Sequence, residues 1–168
     1  MSDSPVSIHQ LGADDVELMH GMLALFGEAF AEPETYTANP PQDSYLRKLL
    51  DSRNFIALVA LDGGEVIGAI AAYELLKFEQ ARSEIYIYDL AVAAAQRRRG
   101  IATAMIEYLQ QLAAERAAHV VFVQADTGIE DEPAIALYSK LGQREDVLHF
   151  DIPVAADARR TAKRGKPA

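Results

Sequence analysis

The chain has 168 residues, 50% of them hydrophobic and 24% charged, with no cysteine and a formal net charge of −9. A domain of this length buries roughly 70% of the surface its unfolded chain exposes, so one core can form unaided, and the composition excludes a disordered or fibrous protein. The missing cysteines exclude a disulfide framework, a thiolate zinc cluster and a cysteine nucleophile, and suit a reducing cytoplasm.

The acidic balance argues against a nucleic-acid partner and for a cationic small-molecule ligand, although an acidic surface also serves solubility alone. Met1, Ser2 and Asp3 open the chain without a basic leader, and the longest aliphatic run, residues 55–61, is far too short to span a bilayer, so no membrane partner is expected.

Residues 6–11 read as a short strand. Asp14 and Asp15 then open a helix in which Val16, Met19, Leu23, Phe26 and Phe30 recur at helical spacing. Pro33, Asn39, Pro40 and Pro41 break the pattern into a loop before Asp43, which is expected to cap a short helix carrying Leu46, Leu49 and Leu50. Residues 55–61 and 66–75 form an antiparallel hairpin about Asp62, Gly63 and Gly64. Residues 84–92 form a central strand that alternates at first and ends continuously apolar. A long helix marked by Ile101, Met105, Leu109 and Leu112 crosses over to a buried parallel strand at 119–125. Pro133 opens a last helix, Gly142 closes it, and residues 147–152 supply a final strand. The expected class is α/β (α+β), a mixed sheet of six to seven strands flanked by about four helices. One domain spans residues 1–153, and a basic disordered tail with Arg159, Arg160, Lys163, Arg164 and Lys166 occupies residues 154–168.

Between the central strand and the long helix stand Gln96, Arg97, Arg98, Arg99, Gly100, Ile101, Ala102 and Thr103. The first N–H groups of a helix have no internal partner, and with the helix dipole they attract anions. The small residues Gly100 and Ala102 admit a pyrophosphate close to the backbone, and the arginines add ionic attraction. The same residues also make an ordinary solvated basic turn. No G-x-G-x-x-G follows a strand and no G-x-x-x-x-G-K-[ST] occurs, so dinucleotide and Walker sites are not supported.

Arg97, Gly100 and Ala102 match the R/Q-x-x-G-x-G/A signature, and on these residues the chain resembles the GNAT superfamily of N-acetyltransferases. Over nearly its whole folded length it is most similar to the type I aminoglycoside 3-N-acetyltransferases, the gentamicin-modifying group. Leu25, Phe26 and Gly27, Thr35 and Tyr36, Lys77 to Gln80, Ile85 to Val92, Val123 to Asp126, Ala136 to Gly142, and His149 to Asp151 carry that likeness. The resemblance implies a GNAT fold and acetyl-CoA as co-substrate. It places pantetheine on the backbone of Leu90, Ala91 and Val92, and the pyrophosphate on Arg98 to Thr103 with Arg97 alongside. A homodimer is a further expectation, because the 147–152 strand can pair across subunits.

Acetyl transfer to an amine needs an unprotonated nitrogen and a proton for the departing thiolate. Tyr138 falls on the family's thiolate-facing position and is the candidate acid, although a tyrosine beside Leu137 and Leu141 also serves a core. Asp89 interrupts an apolar strand, where an unpaired carboxylate is costly. It either orients the substrate amine and draws off its proton, or is satisfied locally. Asp126, Asp131 and Glu132 lie between the last parallel strand and the Tyr138 helix as substrate candidates, Glu132 doubling as a helix-dipole partner. This loop has two residues more than the shorter Gly-Asp-Asp-Pro-like turn of the resembled group. Glu28, Glu32, Glu34 and Tyr36 can close the acceptor pocket or simply be solvated. The histidines lack metal-ligand spacing, so no metal is expected. The leading expectation is acetylation of the 3-amino group of a 2-deoxystreptamine aminoglycoside, conferring antibiotic resistance. The alternatives are acetylation of a polyamine, other small amine or protein N-terminus, and a non-catalytic acetyl-CoA-binding module.

Overall fold

Five strands form one mixed sheet in the order β1-β2-β3-β4-β5, with β1 at Ser7–Gln10, β2 at Phe55–Asp62, β3 at Glu65–Leu76, β4 at Ser83–Val92 and β5 at Ala118–Val123. The first four run antiparallel, and β4 pairs in parallel with β5 through a helical crossover. The structure is a computed structural model that describes residues 5–155. It comprises two compact units, one ending at Asp126 and one beginning at Thr127. The basic tail lies, from residue 156 on, outside the described residues.

In the first unit the helices are α1 (Val16–Ala29), α2 (Pro33–Tyr36), α3 (Asp43–Leu50) and α4 (Ile101–Glu115). The β2–β3 turn needs its glycines, since Gly63 and Gly64 take φ of 58° and 89°, which costs a side-chain-bearing residue strain. On one face of the sheet, Val16, Met19, Met22 and Phe26 of α1 and Leu46 and Leu50 of α3 pack on Ala57, Val59, Ala69, Ala71 and Ala91. Alanines on the strands let α1 lie close. Each large side chain buried there contributes roughly 1.5–3 kcal/mol. Ile56, Leu58, Ile70, Ile85 and Ile87 alternate with that set and are also buried, on the face that α4 covers with Ile101, Met105 and Leu109. Gly68 is the point of closest approach: a Cβ there would stand 2.9 Å from the end of Met105 and 3.1 Å from Ile101. The first turn of α4 is thereby held against the end of β4.

A buried ion network ties the far end of α4 to the sheet. Glu74 on β3 accepts hydrogen bonds from Ser83 Oγ at 2.7 Å and from Arg116 at 2.7 Å, and Arg116 also donates to the Arg53 carbonyl at 2.8 Å. Burial alone would raise the Glu74 carboxyl, but the Ser83 and Arg116 donors outweigh it and hold it below its ordinary value.

The second unit contains α5, Glu132–Leu141, entered through the 3-10 turn Ile129–Asp131. Pro133 lies in its first turn, and Gly142 closes it by donating to the Tyr138 carbonyl at 2.8 Å.

The class matches the expectation, with five strands and five α-helices among the described residues rather than six to seven and about four. Three local expectations are corrected. The proline-rich loop contains the single turn α2, because Pro33 suits a first helical turn. Asp43 does not cap α3: it sits inside the first turn, behind Gln42, and accepts a hydrogen bond from His20 at 2.9 Å. Residues 147–152 join no ladder, and Val147, Leu148, Phe150 and Ile152 are exposed. An alternating pattern makes a strand only where another strand supplies backbone partners. Similarly, β5 is an edge strand with His119 and Val120 exposed, not the buried strand its composition suggests.

Candidate active site

The strand register explains where Asp89 points. Ile85 and Ile87 face α4, and strict alternation would send Asp89 to the same face. Instead Ala72 stands opposite Ile87 and Ala71 opposite Asp89, so Tyr88 has no counterpart on β3. This β-bulge shifts the phase of the strand by one residue. Asp89 and Ala91 consequently lie opposite Ala71 and Ala69, on the α1 face. The continuously apolar end of this strand is thus a switch of face.

Asp89 is half-buried there and meets α2. Tyr36, packed against the rings of Phe26 and Phe30, donates its hydroxyl to Asp89 Oδ2 at 2.9 Å. No cation lies within ion-pair distance of the carboxylate among the described residues. Burial raises the Asp89 carboxyl above its ordinary value, the Tyr36 hydrogen bond opposes that rise, and Glu32 adds to it. Burial, followed by the Asp89 charge, pushes the Tyr36 hydroxyl up and keeps its proton in place. Glu32 thus belongs to this acidic corner, whereas Glu28 lies exposed on α1.

Beyond Asp89 the strand has a free edge. β5 pairs with β4 only from Ser83 to Ile87, while on the other side β3 stays paired through Val92. The outward N–H and C=O groups along Leu90, Ala91 and Val92 therefore have no strand partner among the described residues, and an extended chain with amide groups can add there. The edge leads straight to the arginine turn. The first bond within α4 runs from Ala104 N–H to the Gly100 carbonyl at 3.0 Å, so the N–H groups of Ile101, Ala102 and Thr103 precede the helical ladder. Arg98 and Gly100 both hold left-handed φ, 63° and 75°; for Arg98 this costs about 1–2 kcal/mol.

The three arginines differ in their commitments. Arg97 donates to the Val92 carbonyl at 3.4 Å, and Arg99 bonds Gln96 and lies 3.7 Å from Asp62. Arg98 has no hydrogen bond or ion pair among the described residues, which leaves its guanidinium available to an anion. The strand edge, the unladdered helix N–H groups and the spare guanidinium follow one another along the chain.

In the second unit, burial followed by the Asp131 charge pushes the Tyr138 hydroxyl up to about 12, so it keeps its proton at neutral pH. Glu132 is exposed in the first turn of α5. Asp126 closes the first unit beyond β5. No three His, Asp or Glu side chains gather as metal ligands among the described residues, and no helix there is long and apolar enough to cross a membrane. Sequence reading gave no role to Tyr73 and Tyr88; Tyr88 is the unpaired residue of the bulge and the Tyr73 ring stands against it.

Residues 20–143 match the acetyltransferase (GNAT) family. The chain belongs to that family. Its members use acetyl-CoA as acyl donor, and the strand edge and helix N-terminus described above fit such a donor. Among solved structures the chain is similar to an aminoglycoside acetyltransferase from an uncultured soil metagenomic sample, with 66% identity and a TM-score of 0.89, covering 90% of this chain and 100% of that one. A second soil metagenomic aminoglycoside acetyltransferase, in complex with sisomicin, is 30% identical with a TM-score of 0.81, over 89% of this chain and 96% of that one. The rat N-acetyltransferase family 8 member 2 is 33% identical over 93 residues, 55% of this chain; the match spans 40% of that curated relative's length.

Proposed function

We propose that this acetyltransferase moves the acetyl group of acetyl-CoA onto an amino group of an aminoglycoside, namely the 3-amino group of the 2-deoxystreptamine ring in gentamicin-type drugs, and so confers resistance. The observation that carries the reading is the bulge: it places a cation-free, half-buried carboxylate beside the free edge of β4. The likeness to aminoglycoside acetyltransferases at 66% and 30% identity supports the substrate class.

Acetyl-CoA supplies the thioester. Asp89 attracts the ammonium group and, through its carboxylate, accepts the proton that the amine must lose before it can attack. Tyr36 holds one oxygen of Asp89 and leaves the other for the amine. Arg98 and the N–H groups of Gly100 to Thr103 hold the donor's pyrophosphate, with the backbone of Leu90, Ala91 and Val92 on its pantetheine. To Tyr138 we assign the role of acid toward the departing sulfur. A tyrosine at about 12 is a weaker acid than a thiol near 8.5, so its role is to donate a hydrogen bond as charge builds on sulfur, not to surrender its proton outright. To Asp126, Asp131 and Glu132 we assign recognition of a polycationic acceptor. We read residues 1–153 as one catalytic domain with a basic tail, working in the cytoplasm as a homodimer.

Thiol release from acetyl-CoA, measured with gentamicin, kanamycin, spermidine and peptides, tests the assignment. Turnover with gentamicin and acetyl on its 3-nitrogen, located by NMR, is the expected result. Turnover confined to spermidine or peptides would move the enzyme to another acceptor class, and turnover with none would make it a binding module.

A further inference from the structure

An aromatic row crosses the sheet next to the bulge. Phe55, Tyr73, Tyr86 and Phe122 are consecutive cross-strand partners on β2, β3, β4 and β5. Phe55 and Tyr73 have ring centroids 5.3 Å apart, and Tyr86 stacks on Phe122 at 4.8 Å. Such a row is ordinary sheet packing. Tyr88, the extra residue of the bulge, is not part of it. Its ring stands edge-on to Tyr73 at 5.8 Å and to Tyr86 at 5.8 Å, yet it remains 61% exposed. Tyr45 on α3 is 58% exposed and Tyr73 37%. The proton of Tyr73 is held first by burial and then by the nearness of Tyr88, Tyr45 and Asp89.

We propose that Tyr73 and Tyr88 form an aromatic wall that seats a second, non-reacting ammonium-bearing ring of the acceptor while the reacting amine meets Asp89. This rests on the reading of the acceptor as an aminoglycoside. The occupant is chosen by chemistry: a π face and its hydroxyl rim attract an ammonium group and the C–H face of a sugar ring, and the neighbouring Asp89 and Glu32 are both acidic. The core does not require these rings at the surface, because α1 and α3 already cover this face of the sheet with aliphatic side chains and Phe26. A single carboxylate recognises any amine. The wall next to it selects acceptors that carry a second amine on a rigid ring, which makes Tyr88 a specificity residue and not a catalytic one.

Calorimetric titration of gentamicin into the full chain without acetyl-CoA, together with steady-state kinetics, tests this. Tyr88→Leu should raise the Kd and KM for gentamicin by roughly three- to thirty-fold while kcat and the KM for acetyl-CoA stay within about twofold. Tyr88→Phe, which keeps the ring, should recover most of the affinity. With seven tyrosines and no tryptophan, the chain also reports binding directly: gentamicin should change the tyrosine emission of the wild type, and less so that of Tyr88→Leu. Gentamicin that binds Tyr88→Leu and Tyr73→Leu as tightly as wild type, with both variants folded, would overturn the wall, and so would a wild type that does not bind it. Should Tyr73→Leu not fold, Tyr88→Leu alone decides. Gentamicin that binds in a Tyr88-dependent way but is never acetylated would leave the wall standing and remove the proposed reaction.

Discussion

Two carboxylates of the same sheet, Glu74 and Asp89, show how differently a fold can treat the same chemical group. Glu74 is 6% exposed, yet Ser83 and Arg116 satisfy both of its oxygens and hold its carboxyl below the ordinary value. Asp89 is less buried and has one hydroxyl donor and, among the described residues, no cation; burial first and the charge of Glu32 last raise its carboxyl. The first is finished by its own chain. The second is left unfinished, at the point where the proposed acceptor amine would bind. An unfinished, partly desolvated carboxylate is a liability for folding and an asset for binding a cation.

The contrast breaks if substitutions at the two sites behave alike. Asp89→Asn keeps an acceptor for Tyr36 and removes a charge that the fold does not compensate, so its melting temperature should hold or rise at neutral pH while kcat/KM falls about 10²–10⁴-fold, as steady-state kinetics would read. Glu74→Ala strands the Arg116 guanidinium in the interior. It should cost about 3–5 kcal/mol, lowering Tm by roughly 10 °C in a thermal melt, while the folded fraction retains its turnover. Tyr138→Phe should lower kcat about 10- to 100-fold with little change in the KM for acetyl-CoA.

The pH dependences should run in opposite directions. The stabilisation from Glu74 is present above the ordinary carboxylate value and is lost as pH falls through its depressed folded value. Asp89 instead favours the fold while protonated, and that contribution is lost as pH rises through its elevated folded value. In the proposed reaction its working form is the ionised one, so kcat/KM should climb with pH across the raised Asp89 titration. The smallest effect belongs to Tyr36→Phe. Without the hydroxyl donor the Asp89 carboxyl rises further, the acid limb of the profile moves to higher pH, and activity at neutral pH drops a few-fold.

Much of the architecture was readable from local pattern. The hairpin at Gly63 and Gly64, the helical spacing of α1 and α4, and the turn that leads into α4 at Arg97 to Gly100 each depend on neighbours in sequence. The bulge did not show itself, because a continuous apolar run reads equally as a strand buried on both faces and as a strand that changes face at an extra residue. The Glu74 network was hidden for a different reason: its partner Arg116 lies 42 residues away, and nothing local marks either as buried. Residues 147–152 misled in the opposite sense, their alternation being real but without a ladder to join. Asp89 was legible as an anomaly within an apolar strand; Tyr36 as its partner required the fold.

The most direct test of the account compares Asp89→Asn with wild type in one experiment that follows acetylation of gentamicin and the melting temperature together. The account requires turnover to collapse while Tm is maintained or raised. A variant that acetylates gentamicin at the wild-type rate, or that loses activity only because it no longer folds, would contradict it.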